Sequence, residues 1–162
     1  MGSQPTIERP NPGREMEFVM KKIMTVMIAM TMGLALMASG PEWETDWEVA
    51  RTRAEKENKP ILVNFSGSDW CGWCKRLDRE VFRTDEFKAF AEKGFVLLNL
   101  DFPKYKDQDP ELRKQNQKLL NKYGVTGFPS VLVVNHTGKL VFTTGYMQGG
   151  AGPYIDHLKP YL

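Results

Sequence analysis

An apolar run, Ile61-Leu62-Val63-Asn64-Phe65, is followed a few residues later by Asp69-Trp70-Cys71-Gly72-Trp73-Cys74-Lys75. The run reads as a buried strand, and Lys75 to Phe90 behind it reads as an amphipathic helix. Such a chain must feed a strand into a helix N-terminus with two thiols on the connecting loop. Thiols spaced Cys-x-x-Cys at that place are set for reversible disulfide chemistry. With Cys71 at the helix N-terminus, its sulfur faces unpaired backbone N–H groups and the positive end of the helix dipole. Both favour the reactive thiolate. Cys74, Leu77 and Val81 follow at steps of three and four on one apolar face. This spacing predicts that Cys74 is buried and Cys71 exposed, giving one attacking and one resolving thiol.

These are the only cysteines among 162 residues, so there is no separate structural disulfide framework. A zinc or iron–sulfur site wants four ligands. Beyond the two cysteines the chain offers the distant His136 and His157, both read as surface residues. No metal and no organic cofactor is therefore expected. Charged residues make up 26% and the net charge is +2. Acids and bases are interspersed, which leaves no basic stripe for nucleic acid. Lys75 is close enough to raise the potential at Cys71, and Asp69 could act on the thiolate in either direction. Arg76 and Arg79 alternate with Asp78 and Glu80 and read as a solvated face.

Three segments divide the chain. Residues 1–19 are polar, contain Pro5, Pro10 and Pro12, and form an N-terminal extension. Residues 20–40 begin with Met20-Lys21-Lys22, continue through an almost wholly apolar run at 23–38, and end on the small Ala38-Ser39-Gly40. This order is that of a secretory signal peptide. The apolar run is shorter than the ~20 residues of a spanning helix, yet an uncleaved membrane anchor at residues 23–38 is the alternative. The expected location is thus exported and periplasmic. Residues 41–162 make one domain of ordinary globular composition.

Within that domain the pattern predicts a helix over Asp46–Glu57 and a strand over Lys59–Phe65. The helix bearing the cysteines runs on to near Gly94, and Phe95–Leu100 is a second strand. After a loop at Asp101–Lys106, a helix covers Glu111–Tyr123 and stops at Gly124. Ser130–Val134 and Lys139–Thr143 form a hairpin about Asn135-His136-Thr137-Gly138, and Pro153–Leu162 is a last helix. Trp43 and Trp47 read as packing residues. A parallel strand pair joined by a helix, then an antiparallel hairpin, gives an α/β fold. Its central mixed sheet carries helices on both faces.

This order, with Cys71-Gly72-Trp73-Cys74 after the first strand, resembles the thioredoxin superfamily, in particular its exported bacterial members. Tyr123-Gly124-Val125-Thr126-Gly127-Phe128-Pro129-Ser130 resembles that family's segment with a cis-proline before the third central strand. The resemblance runs from about Asp46 to Leu162. It implies a thioredoxin fold and a thiol–disulfide oxidoreductase acting on protein thiols and disulfides. Cys71 would be the nucleophile and Cys74 the resolving thiol. Pro129 would be cis and face the pair, leaving the Phe128 backbone to pair with an extended substrate. Trp70, Gly72 and Trp73 would add contact surface around Cys71.

Two positions depart from the family. Asn64 stands where an Asp is usually buried, and Trp73 stands where a proline is common between the thiols. An amide cannot exchange a proton near neutral pH, so Asn64 is a modulating position, as is Lys75. The direction of net exchange is open. Net reduction in a periplasm would call for an electron-donating membrane partner. A monomer is expected. The alternative is a peptide- or partner-binding module that uses the cis-proline groove, with redox secondary.

Overall fold

The computed structural model describes residues 42–162. The N-terminal extension and the signal or anchor segment fall outside the described residues. The sheet is built around β1, Ile61–Ser66, whose six residues are all buried. β1 is an interior strand in the order β2-β1-β3-β4, and a core on each side of the sheet buries its two faces. β2, Val96–Asp101, runs parallel to β1 with Ile61 opposite Val96 and Asn64 opposite Asn99. β3, Ser130–Val134, is antiparallel to β1, and β4, Leu140–Thr144, is antiparallel to β3. The β3–β4 turn closes as the sequence predicts. Asn135 N donates to Lys139 O at 3.0 Å, and Gly138 takes the left-handed φ of 79°.

Side chains alternate across the sheet, so each face has its own core. One face gathers Leu62, Leu97, Val131 and Val133 with Phe82, Phe87 and Tyr154. The other gathers Val63, Phe65, Leu98 and Leu132 with Ala50 and Leu119. Fully burying each of the larger side chains contributes roughly 1.5–3 kcal/mol. Helix α1, Trp47–Glu57, covers the second face; Asp46 caps it by accepting from Val49 N at 2.9 Å. Just before it, Glu44 bridges Leu98 in parallel and covers part of the outer edge of β2.

The helix after the cysteines differs from the sequence expectation. It begins directly after Cys71, as α2 over Gly72–Leu77, but then widens into a π-helical turn at Asp78–Phe82. A new helix, α3 over Asp85–Gly94, follows. The wide turn brings both of two consecutive residues, Val81 and Phe82, into the core, which a regular helix turns 100° apart. Thr84 then restarts the helix: its hydroxyl donates to Val81 O at 2.6 Å and accepts from Phe87 N at 3.2 Å. Helix α4 is Pro110–Tyr123, with Asp109 at its N-cap and Gly124 at its C-cap. The last helix, α5, starts at Ala151, two residues before the expected Pro153, and ends at Leu158 in a short 3₁₀ turn, Lys159–Tyr161. No helix among the described residues is long and apolar enough to cross a membrane.

Candidate active site

Cys71 is the N-cap of α2, the position its place between strand and helix predicts. It is joined to Cys74 in a disulfide with a Cα–Cα distance of 5.3 Å. The Cys74 backbone N–H also points at the Cys71 sulfur, 3.2 Å away. The helix terminus therefore supplies a donor to the sulfur that would carry negative charge after reduction.

The expected exposure difference between the thiols does not hold in this oxidised form. Cys71 is 6% exposed and Cys74 5%. The N-cap geometry that draws the Cys71 sulfur over the first turn also withdraws it from solvent. What distinguishes the two is what they face. Cys74, and not Cys71, lines a polar cavity of about 320 Å³ together with Asn64, Asn99, Ser66, Asp78 and Arg83. Asn64 is buried, and its Nδ2 donates to Asn99 Oδ1 at 2.8 Å while its own Oδ1 has no partner among the described residues. Asp78 pairs with Arg83, and these side chains are 42% and 76% exposed, so the cavity reaches solvent on that side.

The Phe128–Pro129 peptide bond is cis. Phe128 packs edge-on against Trp70 at 5.7 Å and against Phe102 at 5.1 Å. Trp70 is held further: its Nε1 donates to Phe102 O at 2.8 Å, and Lys104 Nζ lies 3.9 Å from its ring centre. The ring lies so close over Gly67 that a Cβ there would collide with it. Gly145 passes the Pro129 carbonyl at a distance that leaves a Cβ only 3.1 Å. Two glycines thus let backbone and aromatic groups close in around the site.

Trp73 is 54% exposed. It rests against Tyr146 at 5.1 Å, and the Arg76 guanidinium lies 5.5 Å from the Trp73 ring and 5.2 Å from the Tyr146 ring. Glu80 completes the group, accepting from Arg76 at 2.7 Å and from the Tyr146 hydroxyl at 2.8 Å. Those two bonds hold the Glu80 carboxyl below its ordinary range, and desolvation followed by Glu80 holds the Tyr146 phenol above its own. Arg76 is accordingly a support for Trp73 rather than part of a plain solvated face. The spacing Trp73-x-x-Arg76-x-x-x-Glu80 places all three on one helical side and is the signal that could have shown this.

Lys75 reaches back over the loop, its Nζ donating to Asp69 O at 2.8 Å. Gly72 opens α2, and among the described residues no side chain or other segment comes within 4 Å of where a Cβ would stand. Asp69 accepts from the backbone N–H groups of Lys104, Tyr105 and Lys106, a role the sequence alone does not disclose. His136 lies in the hairpin turn, and His157 packs edge-on against Phe142 at 5.0 Å. Among the described residues no group of three or more His, Cys, Asp or Glu side chains could hold a metal ion.

A four-stranded mixed sheet, a cysteine pair at a helix N-terminus and a cis-proline just before β3 define a protein of the thioredoxin class. Residues 47–151 match the family model of the thioredoxin-like domain, and the chain belongs to that family. It is 35% identical over 127 residues to the disulfide bond reductase DsbH of Chlamydia pneumoniae, across 78% of this chain and 76% of that one. It is 28% identical over 110 residues to the thioredoxin-related protein DsbJ of the same organism, across 68% of this chain and 32% of the relative. With the thiol:disulfide interchange protein DsbD of Vibrio cholerae the figures are 30% over 117 residues, across 70% of this chain and 18% of the relative. The chain thus spans only a minor part of DsbJ and DsbD. The solved structure of a DsbH oxidoreductase superposes with a TM-score of 0.72 at 28% identity, covering 98% of this chain and 93% of that one. The oxidised C-terminal domain of Neisseria meningitidis DsbD shares the fold, with a TM-score of 0.56 at 22% identity, covering 75% of this chain and 100% of that one.

Proposed function

We propose that the protein is a thiol–disulfide oxidoreductase acting on protein thiols and disulfides through Cys71 and Cys74. The observation that carries this reading is the Cys71–Cys74 disulfide at the N-cap of α2, with a helical N–H aimed at the Cys71 sulfur. In the reducing direction the Cys71 thiolate attacks one sulfur of a client disulfide and expels the other as a thiolate. The Cys74 thiolate then attacks the Cys71 sulfur and releases the second client thiol. The client gains two electrons, and the pair is left as the disulfide described above. Cys74 must lose its proton in the second step. Asn64 cannot take it near neutral pH, so the proton leaves through the polar cavity, which is roomy enough for water.

The kinship with a disulfide bond reductase favours net reduction. Export by residues 20–40 would place the protein in the periplasm, where the environment is oxidising and a reductase needs a membrane electron donor. The exchange itself needs no organic cofactor, and one chain suffices for it. Phe128 and Pro129 would take the client as an extended segment, with Trp70, Gly72 and Trp73 around it.

Substituting the resolving thiol tests the mechanism. Cys74→Ser should accumulate mixed disulfides between Cys71 and client proteins, visible on non-reducing gels and lost on reduction. Cys71→Ser should accumulate none and should not turn over a protein disulfide. A Cys71→Ser protein that still cycles disulfides would refute the assignment. Peptide binding that is equally strong without either thiol would favour the binding-module reading.

A further inference from the structure

The connector from β2 to α4, Phe102–Asp109, is fastened to the active-site loop at several points. The Asp69 carboxylate accepts from three consecutive backbone N–H groups: Lys104 at 3.0 Å, Tyr105 at 2.7 Å and Lys106 at 3.1 Å. Successive N–H groups turned to one side make a concave anion site, and here a side chain of the chain itself fills it. A second fastening lies next to it. Ser68 donates to Asp101 from its backbone at 2.8 Å and from its hydroxyl at 2.6 Å. Trp70 supplies the third through Phe102 O.

The result is a loop fixed in place that holds its most prominent side chain out in solvent. Tyr105 is 82% exposed. Its backbone N–H makes the shortest of the bonds to Asp69, so a firmly tied residue carries an exposed aromatic. Asp69, in turn, is two residues before Cys71 in sequence. Phe102 packs on Phe128 at 5.1 Å and Lys104 lies over Trp70, so the connector adjoins the Trp70 and Phe128 flank of the site. A rigid exposed aromatic gives contact area at small entropic cost to a partner that lies in such a groove.

We propose that Asp69 is a positioning residue for disulfide exchange and that the connector it fixes is a specificity-determining wall, with Tyr105 contacting polypeptide clients. The inference rests on the oxidoreductase reading. The occupant is an extended segment of a client protein next to its reacting cysteine. The cis-proline groove receives its backbone, and the wall meets its side chains. Small disulfides are too short to reach the wall, so they should not depend on it. Partial desolvation raises the Asp69 carboxyl, but the three N–H bonds outweigh it and hold it below the ordinary aspartate range. The fastening therefore persists at neutral pH and in mild acid.

The test compares turnover of a protein disulfide, that of insulin, with that of hydroxyethyl disulfide, a dithiol such as dithiothreitol re-reducing the Cys71–Cys74 pair in both cases. The full chain is used as wild type, Asp69→Asn, Tyr105→Ala and Glu55→Gln. Asp69→Asn and Tyr105→Ala should each raise KM for the protein substrate about fivefold to tenfold, the loss expected of one aromatic anchor, with kcat nearly kept. The ratio of protein to small-disulfide efficiency should fall by the same factor. Glu55→Gln, an exposed change on α1 away from the connector, should leave the ratio as in wild type. Tyr105 is on the surface, so its variant folds even if Asp69→Asn does not. An equal fall for both substrates in Asp69→Asn would place Asp69 on the cysteine pair itself and overturn the proposal. An unchanged ratio in Tyr105→Ala would also overturn it. A wild-type chain inert toward both substrates would overturn the oxidoreductase reading, and this inference with it.

Discussion

Asn64 shows how one side-chain atom changes the chemistry open to a site. It occupies the centre of β1 with its amide bonded to Asn99, and both line the cavity that Cys74 faces. Two neutral amides neither store nor donate a proton near pH 7. Replacing Asn64 with Asp would put a carboxyl into a buried setting, which raises its pKa towards the neutral range. Asn64→Asp should therefore add an ionisation near neutral to the pH dependence that deprotonation of Cys74 already gives resolution, with the faster arm on the alkaline side. Stopped-flow measurement of resolution from about pH 5 to pH 9 would show it. An unchanged rate and profile would mean that Asn64 does not control the proton of Cys74. At this scale the cysteines, Trp70, Trp73, Asn64 and Pro129 were legible in the sequence, because each sits in or near a motif. Asp69 was not: its partners are backbone groups 35 to 37 residues away, and a backbone N–H leaves no letter in the sequence. The burial of Cys71 was missed for a similar reason, since apolar spacing reports on helix faces and not on an N-cap.

The elements tell the same story with a different cause. Strands β1, β2, β3 and β4 were readable because short apolar runs bounded by turn residues leave few other options. The single long helix expected after Cys74 was not found, because its apolar spacing is broken where Val81 and Phe82 are both buried. The wide turn at Asp78–Phe82 settles that conflict, and Thr84 joins it to α3 with one hydroxyl. Thr84→Ala removes both bonds and should destabilise the protein by about 1 kcal/mol, within the range for lost N-caps. Thr84→Ser should recover most of that. Urea denaturation would check both, with the midpoint moving and the slope unchanged. A midpoint unmoved in Thr84→Ala would show that the junction holds without the cap.

For the whole molecule, the carboxyls with lowered pKa set the acid limit. Glu57 is held down by Lys59 and then Arg53, Glu80 by Arg76 and then Tyr146, and Asp69 by the connector N–H groups against desolvation. A group whose folded pKa is depressed contributes stability above its unfolded pKa and loses it as pH falls through the folded one. The melting temperature should thus stay nearly level from neutral pH to about pH 4 and fall below it, where ordinary carboxyls are already protonated. On the alkaline side, burial lifts the Tyr123 phenol to about 12. That group favours the folded state below pH 10, and its contribution is lost as pH rises from there towards 12. Calorimetry across pH in low salt would test both arms. A steady decline beginning near pH 6 would contradict the first.

The disulfide spans three positions along one turn of helix. A cross-link constrains an unfolded chain according to the length of the loop it closes, and this loop is about as short as one can be. The two edges of the sheet, the two cores and the connector are held by other means. The bond can open and close at each turnover while the scaffold stays folded. Chemistry and architecture share a helix terminus here, yet the molecule can spend its one covalent tie without coming apart.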